Sequence, residues 1–359
     1  MAIGPARTAA FDILHRVEHG GYASDLLLGA RLDARDASLA SEIVFGVLRH
    51  RAQLDYLIEY YSGRRGKLDV EVRLALRMGI YQLRYLDRVP AYAAVGESAG
   101  LVRRARKTSA AGFVNAVLRN VNREAVAWPS REVELSCPEW LLARWERHYG
   151  AGVVEGIARA ALHAPEAYVE PSTGRRQDVG SQTIVPLLDL RPGQRFLDVC
   201  AAPGNKTAQA LGAGVEAIAC DRSHARLVGM KGLGIPLVVL DGTRPLPFAR
   251  RFDRILVDAP CSGTGTLGRN PEIKWRLTPE DIEDLSRRQA ALVAGARAAL
   301  AAGGRLVYST CSLEPEENEG IVDCVEPGLV ADRLQRLPGR DAGDGFWAAV
   351  IKSDVPANG

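Results

Sequence analysis

The chain has 359 residues, 47% hydrophobic and 25% charged, with a net charge of +3. That is the balance of an ordinary globular protein, with length for two domains and a small third. No run of eighteen apolar residues occurs, which excludes an apolar membrane-spanning helix.

Met1 to Ala10 carries no signal-peptide hydrophobic region, so a cytoplasmic location is expected. The small net charge is no argument for a nucleic-acid partner. Only six of the 46 basic residues are Lys. An Arg-rich set suits bidentate phosphate contacts, although a GC-rich coding bias yields the same composition. The cysteines are Cys137, Cys200, Cys220, Cys261, Cys311 and Cys324. None form a C-x-x-C pair and no His cluster accompanies them, so no metal site is expected and the thiols are read as reduced.

Residues 5 to about 125 read as all-helical. Apolar residues recur at helical spacing over 9–17, over 39–60 (Ile43, Val44, Val47, Leu48, Leu54, Leu57, Ile58), over 70–86, and in two further runs over 94–106 and 112–121. Pro90 breaks the third run. Arg103, Arg104, Arg106, Lys107, Arg119 and Arg123 line the polar faces, a solvated helical surface or one that contacts phosphates. Residues 126–190 read as a helical connector, with helices from Cys137, over 150–162 and over 181–190, interrupted by Pro165, Pro171, Gly174 and Gly180.

From Arg195 the pattern alternates strands and helices. Strands are expected over 196–200, 215–221, 236–241, 255–258 and 305–310, and again over 346–352. This is a doubly wound α/β sheet. The first strand runs into Cys200-Ala201-Ala202-Pro203-Gly204-Asn205-Lys206, a small-residue loop opening a helix. The second ends in Asp221, placed to accept from a ribose, and the third in Asp241, placed to accept from an adenine amino group. Neither G-x-G-x-x-G nor a P-loop occurs, so the reading is a phosphate-free adenosine cofactor, S-adenosyl-L-methionine, with Asp221, Asp241 and Asp258 as strand-end acids.

Asp258-Ala259-Pro260-Cys261 ends the fourth strand and Ser309-Thr310-Cys311 the fifth. Two strand-end thiols beside a carboxylate point to covalent chemistry. Cytosine C5 is a poor nucleophile until a thiolate adds to C6. Residues 312–318 after Cys311 read as a helix start that would lower a thiol pKa. On these grounds both cysteines compete for the attack.

Several blocks then carry a resemblance. Asp198 to Thr207, Asp258 to Gly265, Arg269-Asn270-Pro271-Glu272-Ile273-Lys274-Trp275, Tyr308 to Ser312, Pro315-Glu316-Glu317-Asn318 and Gly343 to Trp347 resemble the Sun/RsmB family of RNA 5-methylcytosine methyltransferases. Arg35 to Arg49, Gly79 to Leu83 and Asn115 to Asn120 resemble the RNA-binding NusB family.

The resemblance implies an all-α N-terminal domain plus a Rossmann-like class I methyltransferase sheet. The limits expected are a NusB-like RNA-binding domain over 1–125, the connector with a shortened RNA-recognition subdomain over 126–190, and the methyltransferase domain over 191–355. It makes Cys311 the nucleophile, Cys261 the residue that assists release, and Asp258 a contact of both cofactor and target base. It further implies a cofactor loop from Cys200 to Lys206, with Lys206 positioning the active-site elements. Two features depart from the family: Pro203-Gly204-Asn205-Lys206 stands where the family has Pro-Gly-Gly-Lys, and residues 164–182 are too short for the family's RNA-recognition subdomain.

The expected reaction is methyl transfer to C5 of a cytosine in ribosomal RNA, of the small subunit, by a monomer with neither membrane nor DNA partner. Arg269, Lys274 and Arg276 are read as holding the RNA backbone. The alternatives are a non-catalytic RNA-binding assembly factor on the same scaffold and a transfer-RNA methyltransferase.

Overall fold

The computed structural model describes residues 3–324 and 327–354. The domain limits expected at residues 1 and 355 lie outside them. The described residues fall into two units: one within Met1–Ala164 and Leu267–Trp275, the other within Pro165–Thr266 and Arg276–Gly359.

The first unit is helical: α1 (Pro5–Glu18), α2 (Ala23–Leu28), α3 (Ala34–Arg49), α4 (Arg51–Ser62), α5 (Val70–Tyr85), α6 (Ala91–Arg104), α7 (Ala111–Arg119), α8 (Arg131–Glu134), α9 (Glu139–Tyr149) and α10 (Ala151–Ala160). The apolar stripe of α5 is its axis. Leu74, Ala75, Leu76, Met78 and Ile80 are buried, and α5 packs on α1, α3, α4, α6 and α7. Close approach is built in at Gly46, where a Cβ would meet the Tyr81 ring at 1.9 Å. Asp33 starts α3 by accepting from Asp36 N at 2.8 Å. The single apolar run expected over 39–60 is two helices. The chain leaves helical geometry at His50, with φ −100° and ψ 17°, and Ser136 Oγ accepts from Ala52 N in the first turn of α4.

The second unit is a seven-stranded sheet: β1 (Arg195–Asp198), β2 (Glu216–Asp221), β3 (Leu237–Val239), β4 (Phe252–Asp258), β5 (Leu300–Thr310), β6 (Val330–Arg336) and β7 (Phe346–Lys352), in the order β3-β2-β1-β4-β5-β7-β6. Strands β1 to β5 are parallel and β7 is antiparallel to both of its neighbours. The connections include α11 (Val179–Gln182), α12 (Asn205–Leu211), α13 (His224–Val228), α15 (Pro279–Ala298) and α16 (Glu319–Val322), while α14 (Ile273–Arg276) lies in the helical unit except for its last residue. The order reverses between β1 and β4, which opens a crevice at their carboxyl ends. Leu197, Val199, Ile255, Val257, Leu306, Tyr308 and Ala349 pack one face of the sheet; Phe196, Leu256, Val307, Ala348 and Val350 pack the other.

Three expectations need correction. Residues 181–190 are not one helix: α11 ends at Gln182 and a 3-10 turn covers Val185–Leu188, since Pro186 has no N–H to continue an α-helical ladder. Strand β6 was missed because it is a half-exposed edge strand without a buried alternation. Cys311 does not abut a helix N-terminus either. A 3-10 turn starts at Pro315 and α16 has only four residues.

Candidate active site

The two cysteines meet. β4 and β5 are neighbouring parallel strands in which Asp258 pairs with Ser309. The chain beyond each strand therefore leaves at the same edge of the sheet. Cys261 Sγ and Cys311 Sγ lie 3.4 Å apart, and both residues are half-buried. The hydrogen bond to Cys311, then burial, then the nearby charges push the Cys261 thiol well above its ordinary range. Either sulfur can donate its S–H to the other across this contact.

Asp258 sits at the end of β4 beside the pair. Its Oδ2 accepts from Lys206 Nζ at 2.7 Å and its Oδ1 from Ser309 Oγ at 2.8 Å. Lys206 also stands over the Phe346 ring, 5.2 Å from its centroid. Ser309 and Phe346 were not among the expected site residues. Ser309 lies in a strand-end motif visible in the sequence, but its place opposite Asp258 is set by the β4–β5 register. Phe346 depends on antiparallel β7 and left no such signal.

The expected cofactor loop follows β1. Asp198 is buried and accepts from Thr207 Oγ1 at 2.7 Å through Oδ2. Burial pushes its carboxyl up to about 7. Ala201 and Ala202 are buried, with Ala201 N donating to Cys220 O and Ala202 N to Asp221 Oδ2. Gly204 holds φ +97°, the left-handed region, and a Cβ there would meet Met230 at 3.0 Å. Gly204 therefore takes the strained conformation and Asn205 is the first ordinary helical residue. The Asn departure costs no backbone strain.

Asn205 Nδ2 donates to Arg176 O at 3.2 Å, and Arg175 Nη1 donates to Asn205 Oδ1 at 3.5 Å. Arg175 and Arg176 belong to a short hairpin closed by the Val169–Arg176 bridge, and the 164–182 stretch forms this hairpin followed by α11. The loop suits a phosphate-free cofactor in two respects. Small residues leave its backbone bare around Gly204, and the buried acid Asp221 ends β2. Asp221 also accepts from Ser223 N at 2.8 Å. Asp241 lies past β3, exposed, and accepts from Thr243 N and Oγ1. These bonds hold its carboxyl below the usual range.

The other cysteines do not join the pair. Burial pushes the Cys200 thiol far up and that of Cys220 up to about 12, while Cys137 is buried. Cys324 is exposed. Lys274 also departs from expectation. It is buried and donates to Arg49 O at 3.0 Å, and burial lowers its pKa to about 8, so its ammonium is not a phosphate contact. A cavity of about 500 Å³ lined by Arg244, Phe248, Arg251, Ala294 and Gly295 holds neither the thiols nor the strand-end acids.

Residues 185–326 match the family described as 16S rRNA methyltransferase RsmB/F, and residues 4–123 match the NusB family. The ribosomal RNA small subunit methyltransferase B of Thermus thermophilus is 35% identical, with 90% of this chain and 87% of that protein covered. The protein of the same name from Citrobacter koseri is 31% identical, covering 96% of this chain and 97% of its own. The crystal structure of PH0851 has the same fold, with a TM-score of 0.76 at 19% identity over 98% of this chain and 100% of that one.

Proposed function

Since the chain belongs to the 16S rRNA methyltransferase RsmB/F family, whose cofactor is S-adenosyl-L-methionine, we propose that it methylates C5 of a cytosine in ribosomal RNA of the small subunit through a covalent adduct on Cys311. The observation that carries this reading is the 3.4 Å contact between Cys311 and Cys261 beside Asp258. The names of the relatives support the ribosomal target.

The bound cofactor supplies an electrophilic methyl group and leaves as the thioether. The residues proposed to hold it are Cys200, Ala201, Ala202, Pro203, Gly204, Asn205 and Lys206 of the loop, with Asp221, Asp241 and Asp258. The Cys311 thiolate forms a bond to C6, and the pair displaced from the C5–C6 double bond makes C5 the nucleophile. Asp258, fixed by Lys206 and Ser309, orients the base. After methylation the C5 proton passes to water, the double bond re-forms and Cys311 departs as thiolate. Cys261, 3.4 Å from that departing sulfur, is placed to donate its S–H to it and so assist release. A base must leave its stack to reach two sulfurs at a strand edge, so the target is a flipped or single-stranded cytosine.

RNA phosphates are held by the NusB-like unit, within the domain proposed over 1–125. There Arg103, Arg106 and Arg119 are exposed and make no ion pair among the described residues. Arg104, Lys107 and Arg123 pair with Asp12, Asp69 and Asp87. Residues 126–190 are proposed as the connector and 191–355 as the methyltransferase domain.

The test is methyl transfer from labelled cofactor to undermethylated small-subunit RNA, with transfer RNA offered in parallel. Wild type is expected to label a small-subunit cytosine at C5. Cys311→Ala should lose labelling, and Cys261→Ala should accumulate a denaturation-resistant protein–RNA adduct. Labelling of transfer RNA alone would move the target. No transfer to any RNA would leave an assembly factor on a methyltransferase scaffold.

A further inference from the structure

We propose that Glu317 is a positioning residue that ties together the two cysteine-bearing loops and so sets the contact between Cys261 and Cys311; the inference rests on the two-thiol reading above. The cysteines lie beyond the ends of separate strands, so the spacing of their sulfurs depends on how the loops 259–266 and 311–318 are held. Each cysteine is followed by a serine. One carboxylate takes both serines. Glu317 Oε2 accepts from Ser262 Oγ and Ser312 Oγ, each at 2.5 Å. Oε1 accepts from Ser262 N at 2.8 Å and from Gln289 Nε2 of α15 at 2.9 Å.

Glu317 is fully buried, and four donors converge on it, the full complement of an ionised carboxylate. Its own backbone is fastened by Tyr308 OH, which donates to Glu317 O at 2.5 Å. A second stitch runs alongside: Leu313 N donates to Thr264 Oγ1 and Gly265 N to Cys311 O, both at 2.9 Å.

A buried carboxylate is expensive to keep unless its hydrogen bonds are complete, so these four bonds have a rigid geometry. Burial pushes the Glu317 carboxyl up and the four bonds oppose that rise. Its charge is also among the causes that push the Cys261 thiol up, after the Cys311 contact and burial. Loss of Glu317 is expected to let the two loops, and with them the sulfurs, shift apart. A shift of about 1 Å is enough to lower a rate by two orders of magnitude when the reacting groups must align.

The spacing of the thiols is read without any methyl transfer by a trivalent arsenical such as phenylarsine oxide, which bridges two sulfurs only when they are adjacent. Wild type is expected to bind it, and Cys261→Ala and Cys311→Ala to lose that binding. Glu317→Ala should weaken arsenical binding at least tenfold and lower kcat at least tenfold, with the KM for S-adenosylmethionine within twofold. Glu317→Gln keeps the volume, and its amide can donate to both serine hydroxyls once they turn. It should recover most of both losses, which a purely electrostatic role would not allow. Wild-type arsenical binding and kcat in Glu317→Ala would overturn the proposal. If that variant loses cofactor binding through misfolding, the Ser262→Ala/Ser312→Ala double variant is read in the same way, and unchanged arsenical affinity in it overturns the proposal. Absence of methyl transfer by wild type would sink the proposed function alone, and the arsenical measurement would still decide on Glu317.

Discussion

Single residues at the carboxyl edge of the sheet have unequal freedom. Gly265 has almost none: a Cβ there would lie 2.5 Å from Gly345 O and 2.8 Å from Cys311 O, both backbone atoms that cannot rotate away. Gly265→Ala is expected to destabilise the protein by about 1–3 kcal/mol in urea unfolding, and to lower methyl transfer by moving Cys311. Lys206 is more tolerant structurally and less so chemically. Lys206→Met leaves Asp258 with Ser309 as its remaining partner of the two described above. The folded protein should keep its unfolding free energy in urea within about 1 kcal/mol while transfer falls at least tenfold. Asp258 and both cysteines were readable as strand-end residues from the alternation of Ile255 to Val257 and Leu306 to Thr310. Glu317 was readable only as part of a motif, because a buried acid looks in sequence like any other acid of a 3-10 turn.

Helices and strands show where periodicity is a sufficient guide and where it fails. Helix α15, not among the expected elements, carries a local start signal: Thr278 Oγ1 accepts from Asp281 N, and Asp281 Oδ2 accepts from Thr278 N, a closed capping box. Edge strand β6 does not, since it presents polar residues to both sides.

The α3–α4 break at His50 leaves a titratable group inside the helical unit. His50 Nδ1 lies 2.7 Å from Gln53 Oε1, and the ring centroid lies 4.4 Å from that of Tyr85, the planes tilted by 33°. Burial lowers its pKa to about 4. The unfolded chain binds the proton near 6.5 and the folded chain only near 4, so stability is fully present above about 6.5 and is lost as pH falls through 4. Urea unfolding followed by helix signal should show a decrease on the order of 2–3 kcal/mol over that interval. His50→Gln should flatten it.

At the scale of the whole chain, residues 267–275 leave the sheet unit and belong to the helical one. They close the C-terminus of α3: Lys274 Nζ donates to Arg49 O and Trp275 Nε1 to Leu48 O at 2.8 Å, two of the carbonyls that a helix end leaves without partners. Glu272 Oε1 accepts from Ala23 N, and Arg49 Nε donates to Gly268 O. Lys274→Ala is therefore expected to destabilise the protein by about 2–3 kcal/mol without reducing the salt dependence of RNA binding. Arg119→Ala should do the reverse, lowering the slope of log affinity against log salt by about 1 with unfolding unchanged.

By itself the sequence determined the class of each half, the order of strand and loop in the crevice, the cofactor type and the two thiols. These follow from local periodicity and from residues adjacent in the chain. The tertiary structure alone decided which residues touch. Parallel pairing of β4 with β5 puts Ser309 opposite Asp258 and the two sulfurs together across fifty residues. Burial withdraws Lys274 from solvent and commits Glu317 to both loops. Contacts between distant segments depend on register and burial, and neither is encoded in the spacing of residues along one strand or one helix.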